Sequence, residues 1–115
     1  MLDRQTAETL IAAARALSDT ILAGLSHNRA LGDQDSEPKR AACKFNTNAR
    51  HLMHDAVDAI EAGAGREVSL AVTNWHRARV VHARHLALGL PTTGERRAIA
   101  ELEMRVEAAL DAQYA

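Results

Sequence analysis

The sequence predicts an all-α domain, a four-helix up-down bundle, and three observations carry that expectation. Six Gly and two Pro in 115 residues are too few turn-formers for a multi-strand β domain. Apolar residues recur at three- and four-residue spacing over four separate stretches, the signature of one-sided helices. Aromatic residues make up only 3% of a chain that is 47% hydrophobic, so the core must be built from Leu, Ile, Val and Ala, which suits close helix packing. The length is that of one domain, residues 1–115, with enough chain to bury a core unaided.

The first helix is predicted over about 3–28. Ala7, Leu10, Ile11, Ala14, Leu17, Ile21 and Leu25 form its stripe, with Arg4, Glu8, Arg15 and Asp19 off it. Gly32 to Asp35 then breaks the pattern. Ser36 is the expected N-cap of the second helix, 37–62, with Pro38 in its first turn and an acid near the positive helix end. Its buried face is expected to be Ala42, Phe45, Ala49, Leu52, Met53, Ala56 and Ile60.

Gly63-Ala64-Gly65 predicts a C-cap and tight turn in three residues. The third helix follows over 66–88 and stops at Gly89-Leu90-Pro91. The fourth, 94–113, has capping-box spacing between Thr92 and Glu95 and a stripe of Ile99, Leu102, Val106, Ala109 and Leu110.

The third helix differs from the others. Val68, Ala71, Trp75, Ala78, His82 and Leu86 share one face, and Leu70, Val81 and Leu88 add a second stripe. So wide an apolar arc belongs to a helix at the centre of its bundle or at a subunit contact, and it predicts a homodimer or larger assembly. The same helix is locally basic: no acid stands between Glu67 and Glu95, while Arg77, Arg79 and Arg84 do. After Glu37 the early second helix, with Lys39, Arg40, Lys44 and Arg50, is also free of acids until Asp55. The formal charge of −1 therefore hides segregation. Side by side, the two basic halves would make a patch for phosphates or an acidic partner.

Chemistry is sparse. His51 and His54 at i,i+3, with Asp58, could meet a metal on one helix face; His51–Asp55 and His54–Asp58 could also simply touch as i,i+4 pairs. His82 and His85 repeat the i,i+3 spacing, and a buried His82 would need a hydrogen-bond partner such as Asn46, Asn48, Asn74 or Glu103. No Glu or Asp stands three residues before a His, which argues against a ferritin-like di-iron centre. Cys-x-x-Cys-His for covalent haem is also missing. The lone Cys43 permits no internal disulfide, and no catalytic set or phosphate-cradling glycine loop is present. No cofactor is implied.

The stretch Gly65 to Trp75, Gly-Arg-Glu-Val-Ser-Leu-Ala-Val-Thr-Asn-Trp, resembles a helix of small phage-encoded helical proteins, some of which soak up cyclic nucleotide signals. That resemblance implies an inhibitor of a host system, or nucleotide binding. From the residues themselves the expected function is a non-enzymatic interaction protein gripping another protein through a basic helix face. Arg66, Arg77, Arg79 and Arg84 with Trp75, His82 and His85 are its candidate binding residues. A small anion at a subunit contact is the second expectation, and a His-based metal or haem bundle the third. The slightly negative charge and the lack of a helix-turn-helix argue against DNA. A charged, polar N-terminus and no apparent span-length apolar run predict a cytoplasmic protein without membrane contact.

Overall fold

The computed structural model describes residues 1–115 and has four helices and no strand. They are α1 (Arg4–Ala30), α2 (Glu37–Ala64), α3 (Arg66–Ala87) and α4 (Glu95–Gln113), running alternately up and down. The predicted bundle is present. Its helices are unequal partners: α1 packs chiefly on α2 and α4 chiefly on α3, and α3 alone packs substantially on all three others. The wide apolar arc of α3 reflects this central place.

Local chemistry explains most boundaries. Asp3 accepts the Thr6 amide at 2.8 Å and caps α1. Ser36 accepts the Lys39 amide at 3.2 Å and caps α2, as predicted. Two expectations fail. The Gly63-Ala64-Gly65 break shrinks to Gly65 alone, whose φ of 101° reverses the chain; Gly63 and Ala64 stay helical. The Gly63 carbonyl accepts the Leu2 amide at 2.7 Å, and Leu2 lies where a Gly63 side chain would stand, so Gly63 is selected for close approach and not for a turn. The Thr92–Glu95 capping box does not form either. Gly94, at φ 82°, is the N-cap of α4, which leaves Thr92 outside the helix, where its carbonyl accepts the Glu95 amide in a turn at 3.0 Å.

One end of the bundle is closed. The α2–α3 turn meets both chain termini there: besides the Leu2–Gly63 bond, the Tyr114 hydroxyl donates to the Leu2 carbonyl at 2.8 Å. Ala7, Ile11, Ala14, Ile60, Ala64, Val68, Val72, Val106 and Leu110 fill this end. Each large aliphatic side chain so buried stabilises the fold by roughly 1.5–3 kcal/mol. Ion pairs from Arg4 to Asp111 and from Arg15 to Glu103 and Glu107 tie α4 to α1.

The opposite end is open. Of the 19 buried residues, only Ile21, Gly24, Ala42, Asn46 and Ala49 lie in that half. Phe45 and Leu52, expected in the core, are exposed, and Asn46 is buried in their place. The cause is a close crossing: Asn46 packs against Gly24 and donates to its carbonyl at 3.2 Å, which turns the neighbouring Phe45 outward. On α3 the buried residues are Val68, Ser69, Val72 and Trp75, while His82 is only partly covered and Leu86 is exposed. The predicted face therefore fades toward the open end.

The second α3 stripe does not form one apolar surface. Leu70, Val81 and Leu88 are exposed, but Asn74, Arg77 and Arg84 interrupt them. The expectation of no span-length apolar stretch is also amended: by length and composition alone α1 could cross a membrane. Arg15 and Asp19 lie in its middle, however, and pair with α4 and with Arg79 of α3.

Candidate functional site

The two basic helix halves do meet, in a cleft on the α2–α3 side near the open end. Ile21 and Leu25 of α1 and Val80 and Val81 of α3 give it apolar walls, and Arg50, Arg77 and Arg84 stand around it with His76. The main hollow holds about 420 Å³. An adjoining hollow of about 220 Å³ shares Ile21, Arg50, His76 and Arg77 and adds His54 and Thr73. No acid lines either part.

Pairing and position together set these arginines apart. Arg4, Arg15, Arg40, Arg79 and Arg97 each contact a carboxylate, whereas Arg50, Arg77 and Arg84 contact none; Arg29, Arg66, Arg96 and Arg105 are also unpaired but do not line the cleft. All three cleft arginines are exposed. Arg77 and Arg84 are seven residues apart, two turns on one face of α3, and therefore about 10 Å apart along the axis. Three unpaired guanidiniums around apolar walls form a surface with both a field and a contact area for an anionic partner.

His76 sits on the α1-facing side of the cleft. Its Nδ1 lies 2.8 Å from the Ser18 hydroxyl, which also accepts from Arg79 Nη1 at 2.8 Å. The Ser18 hydroxyl is thereby shared between the imidazole of His76 and the guanidinium of Arg79. Burial holds the His76 pKa below the ordinary imidazole value of 6.5, and the nearby Arg79 charge lowers it further. Ser18 and His76 are spaced as a nucleophile and its base would be, but Ser18 is fully buried and occupied by Arg79. That pair cannot attack a substrate in this arrangement.

The remaining predicted residues are placed elsewhere. Arg79 lies over Trp75, 4.9 Å from the ring centroid, and pairs with Asp19 at 2.8 Å. It is a clamp between α1 and α3, and Trp75 beneath it is core. Arg66 stands at the start of α3, eleven residues and about 16 Å along the axis from Arg77. His82 and His85 face α4, donating through Nδ1 to the two oxygens of Glu95 at 3.0 and 2.7 Å. None of the four partners expected for His82 is used. The His82 bond, with that from His85, holds the Glu95 carboxyl below its usual range against a smaller opposing effect of burial.

His51, His54 and Asp58 are exposed on α2, and neither i,i+4 pair there makes a hydrogen bond or ion pair. No three His, Cys, Asp or Glu side chains are grouped to hold a metal ion. Cys43 is exposed beside Asn28, at 3.8 Å, and has no histidine for a partner. The first turn of α2 contributes little to the basic cleft: Lys39 donates to the Asn28 carbonyl at 2.9 Å and Arg40 pairs with Asp35 at 2.8 Å.

Two contributors to the cleft lay outside the predicted binding set, Arg50 and His76. Arg50 was legible as a member of the acid-free run of α2. The involvement of His76 depends on a contact with Ser18, 58 residues away, for which no local pattern exists. No protein-family model, curated protein or solved structure matches the chain.

Proposed function

We propose that this chain is a non-enzymatic binding protein that grips an acidic segment of another protein in the α2–α3 cleft. The observation that carries this reading is the convergence of Arg50, Arg77 and Arg84, without a carboxylate among them, on one apolar-walled cleft. Cations on the rim of an open cleft suit an extended chain, which can lay carboxylates along the edge and apolar side chains on Ile21, Leu25 and Val80. The test is anisotropy of a labelled oligoglutamate peptide. Affinity should fall as salt rises, and the Arg77→Glu/Arg84→Glu variant should bind about tenfold more weakly or worse, a loss of roughly 1.4 kcal/mol. Equal binding by the variant would remove the proposal.

One observation favours a second reading, a small anion such as a nucleotide. The main hollow of about 420 Å³ falls in the range that small-molecule sites occupy, roughly 300–1,000 Å³. Thermal-shift measurements with nucleotides separate the two readings, since a ligand at 100 times its Kd adds about 2.7 kcal/mol. A flat nucleotide series together with peptide binding selects the acidic segment.

A further inference from the structure

The α1–α2 hairpin has an outer face that nothing covers. On α1 it presents Ala13, Ala16, Thr20 and Ala23, and on α2 Phe45 and Leu52, all exposed. Of the charged residues of α1, Arg4, Glu8, Arg15 and Asp19 lie around the helix from this face and pair with one another, with α4 or with α3, while Arg29 stands unpaired in the last turn; His27 is the one titratable side chain that lines the groove beside the face. Phe45 and Leu52 are seven residues apart and so share a stripe, with 52% and 55% of their surfaces exposed. Beside Phe45 a groove of about 700 Å³ runs between the helices, with Gly24 and Ala42 among its lining residues.

We infer that this face is the contact with a second copy of the chain, a two-fold dimer in which the hairpins pack face to face and Phe45 of each protomer enters the groove of its partner. Three observations select a second copy as the occupant. The chain exposes 7402 Å², about 1,200 Å² more than the mass scaling gives for a folded monomer of this size. A stable interface removes about 800 Å² from each partner, so one copy of the same face accounts for most of the surplus. Its radius of gyration, 15.7 Å, likewise exceeds the roughly 13 Å of a compact domain of this length.

The second observation is charge. A two-fold contact sets a surface against itself, where any charge near the axis meets its like; the six residues of this face carry none. The third is shape. Phe45 is a projecting knob, and the groove beside it has Ala23, Gly24, Ala41 and Ala42 among its lining residues, which leaves room between the larger ones, so knob and groove are both present on one copy. Arg50 is five residues from Phe45 and about 140° around α2, so the basic cleft opens on another side and stays free in the dimer.

The test is the solution mass of the untagged full chain by sedimentation equilibrium. The dimer predicts twice the chain mass of 12.5 kDa, and a return to one chain mass in Phe45→Glu/Leu52→Glu with the helical circular dichroism retained. Ala16→Glu, on the other helix of the same face, is expected to dissociate it independently and decides the matter if the double variant does not fold. Met104→Glu, at an exposed apolar residue of α4, should leave the dimer intact. A wild-type chain monomeric throughout its soluble range overturns the inference, as does a dimer that survives the charged substitutions. A monomer that co-sediments with phosphatidylcholine vesicles assigns the face to lipid and equally overturns it.

Discussion

At the closed end of the bundle, helix termini, chain termini and the one-residue α2–α3 turn converge on a core of branched aliphatic side chains. At the open end the same helices bury little beyond Ile21, two alanines, a glycine and an asparagine. At the closed end Arg4 and Arg15 are paired with carboxylates of α4, and Arg66 is left free. The open end leaves Arg50, Arg77 and Arg84 unpaired and turns Phe45, Leu86 and Leu88 to solvent. On the proposed reading, stability and recognition are divided along the helix axes: the half that buries most of the core is not the half that carries the cleft.

The sharpest way to break this comparison is to remove matched side chains from both ends. Ile60→Ala at the closed end is expected to cost about 2–5 kcal/mol, against about 0.5 kcal/mol or less for Leu86→Ala at the open end, read by urea unfolding at one protein concentration. Similar losses at both sites would mean that the open end is as much core as the closed. Gly24→Ala is expected to rank next, at roughly 1–3 kcal/mol. A β-carbon there runs into Asn46 Oδ1, a buried atom that already lacks a donor, and the strain should shift the Phe45 resonances in NMR spectra.

Acid should probe the joints between helices. The depressed pKa of His76 means that the unfolded chain takes up a proton first as pH falls below 6.5. The stability contribution of the neutral ring is therefore complete above that value and is lost as pH falls through the lower folded pKa. His76→Gln should flatten the decline in Tm between pH 6.5 and 5. Glu95, whose pKa is also lowered, from 4.5, contributes with the same sign in more acidic solution. Glu95→Gln should therefore weaken the acid dependence below pH 4.5. The smallest effect on stability is expected from Arg77→Glu/Arg84→Glu, within about 0.5 kcal/mol, because neither side chain is buried or paired.

How much of this was legible in sequence follows the same division. The α1 and α4 stripes, Ser36 as a cap and the four-helix order could all be read because they depend on local spacing and on burial at the well-filled end. Phe45 and Leu52 misled because hydrophobicity signals a buried face only where a neighbour is present to cover it. The Gly24–Asn46 crossing reversed that assignment through a contact 22 residues apart. The segregation of basic residues was visible, but not which arginines it would leave free: Arg79 is taken by Trp75, Ser18 and Asp19, and His82 and His85 by Glu95. Those pairings depend on how α1 and α4 approach α3, which spacing within one helix does not determine.

The proposed division between a folding end and a binding end can be checked by amide chemical-shift mapping of the labelled protein during an oligoglutamate titration. Perturbations are expected to concentrate at Arg50, His76, Arg77, Val81 and Arg84, with Ala7, Ile60, Val68 and Leu110 unmoved. Perturbations centred instead on Arg66, Arg96 or Arg105, or spread evenly over every exposed cation, would contradict it.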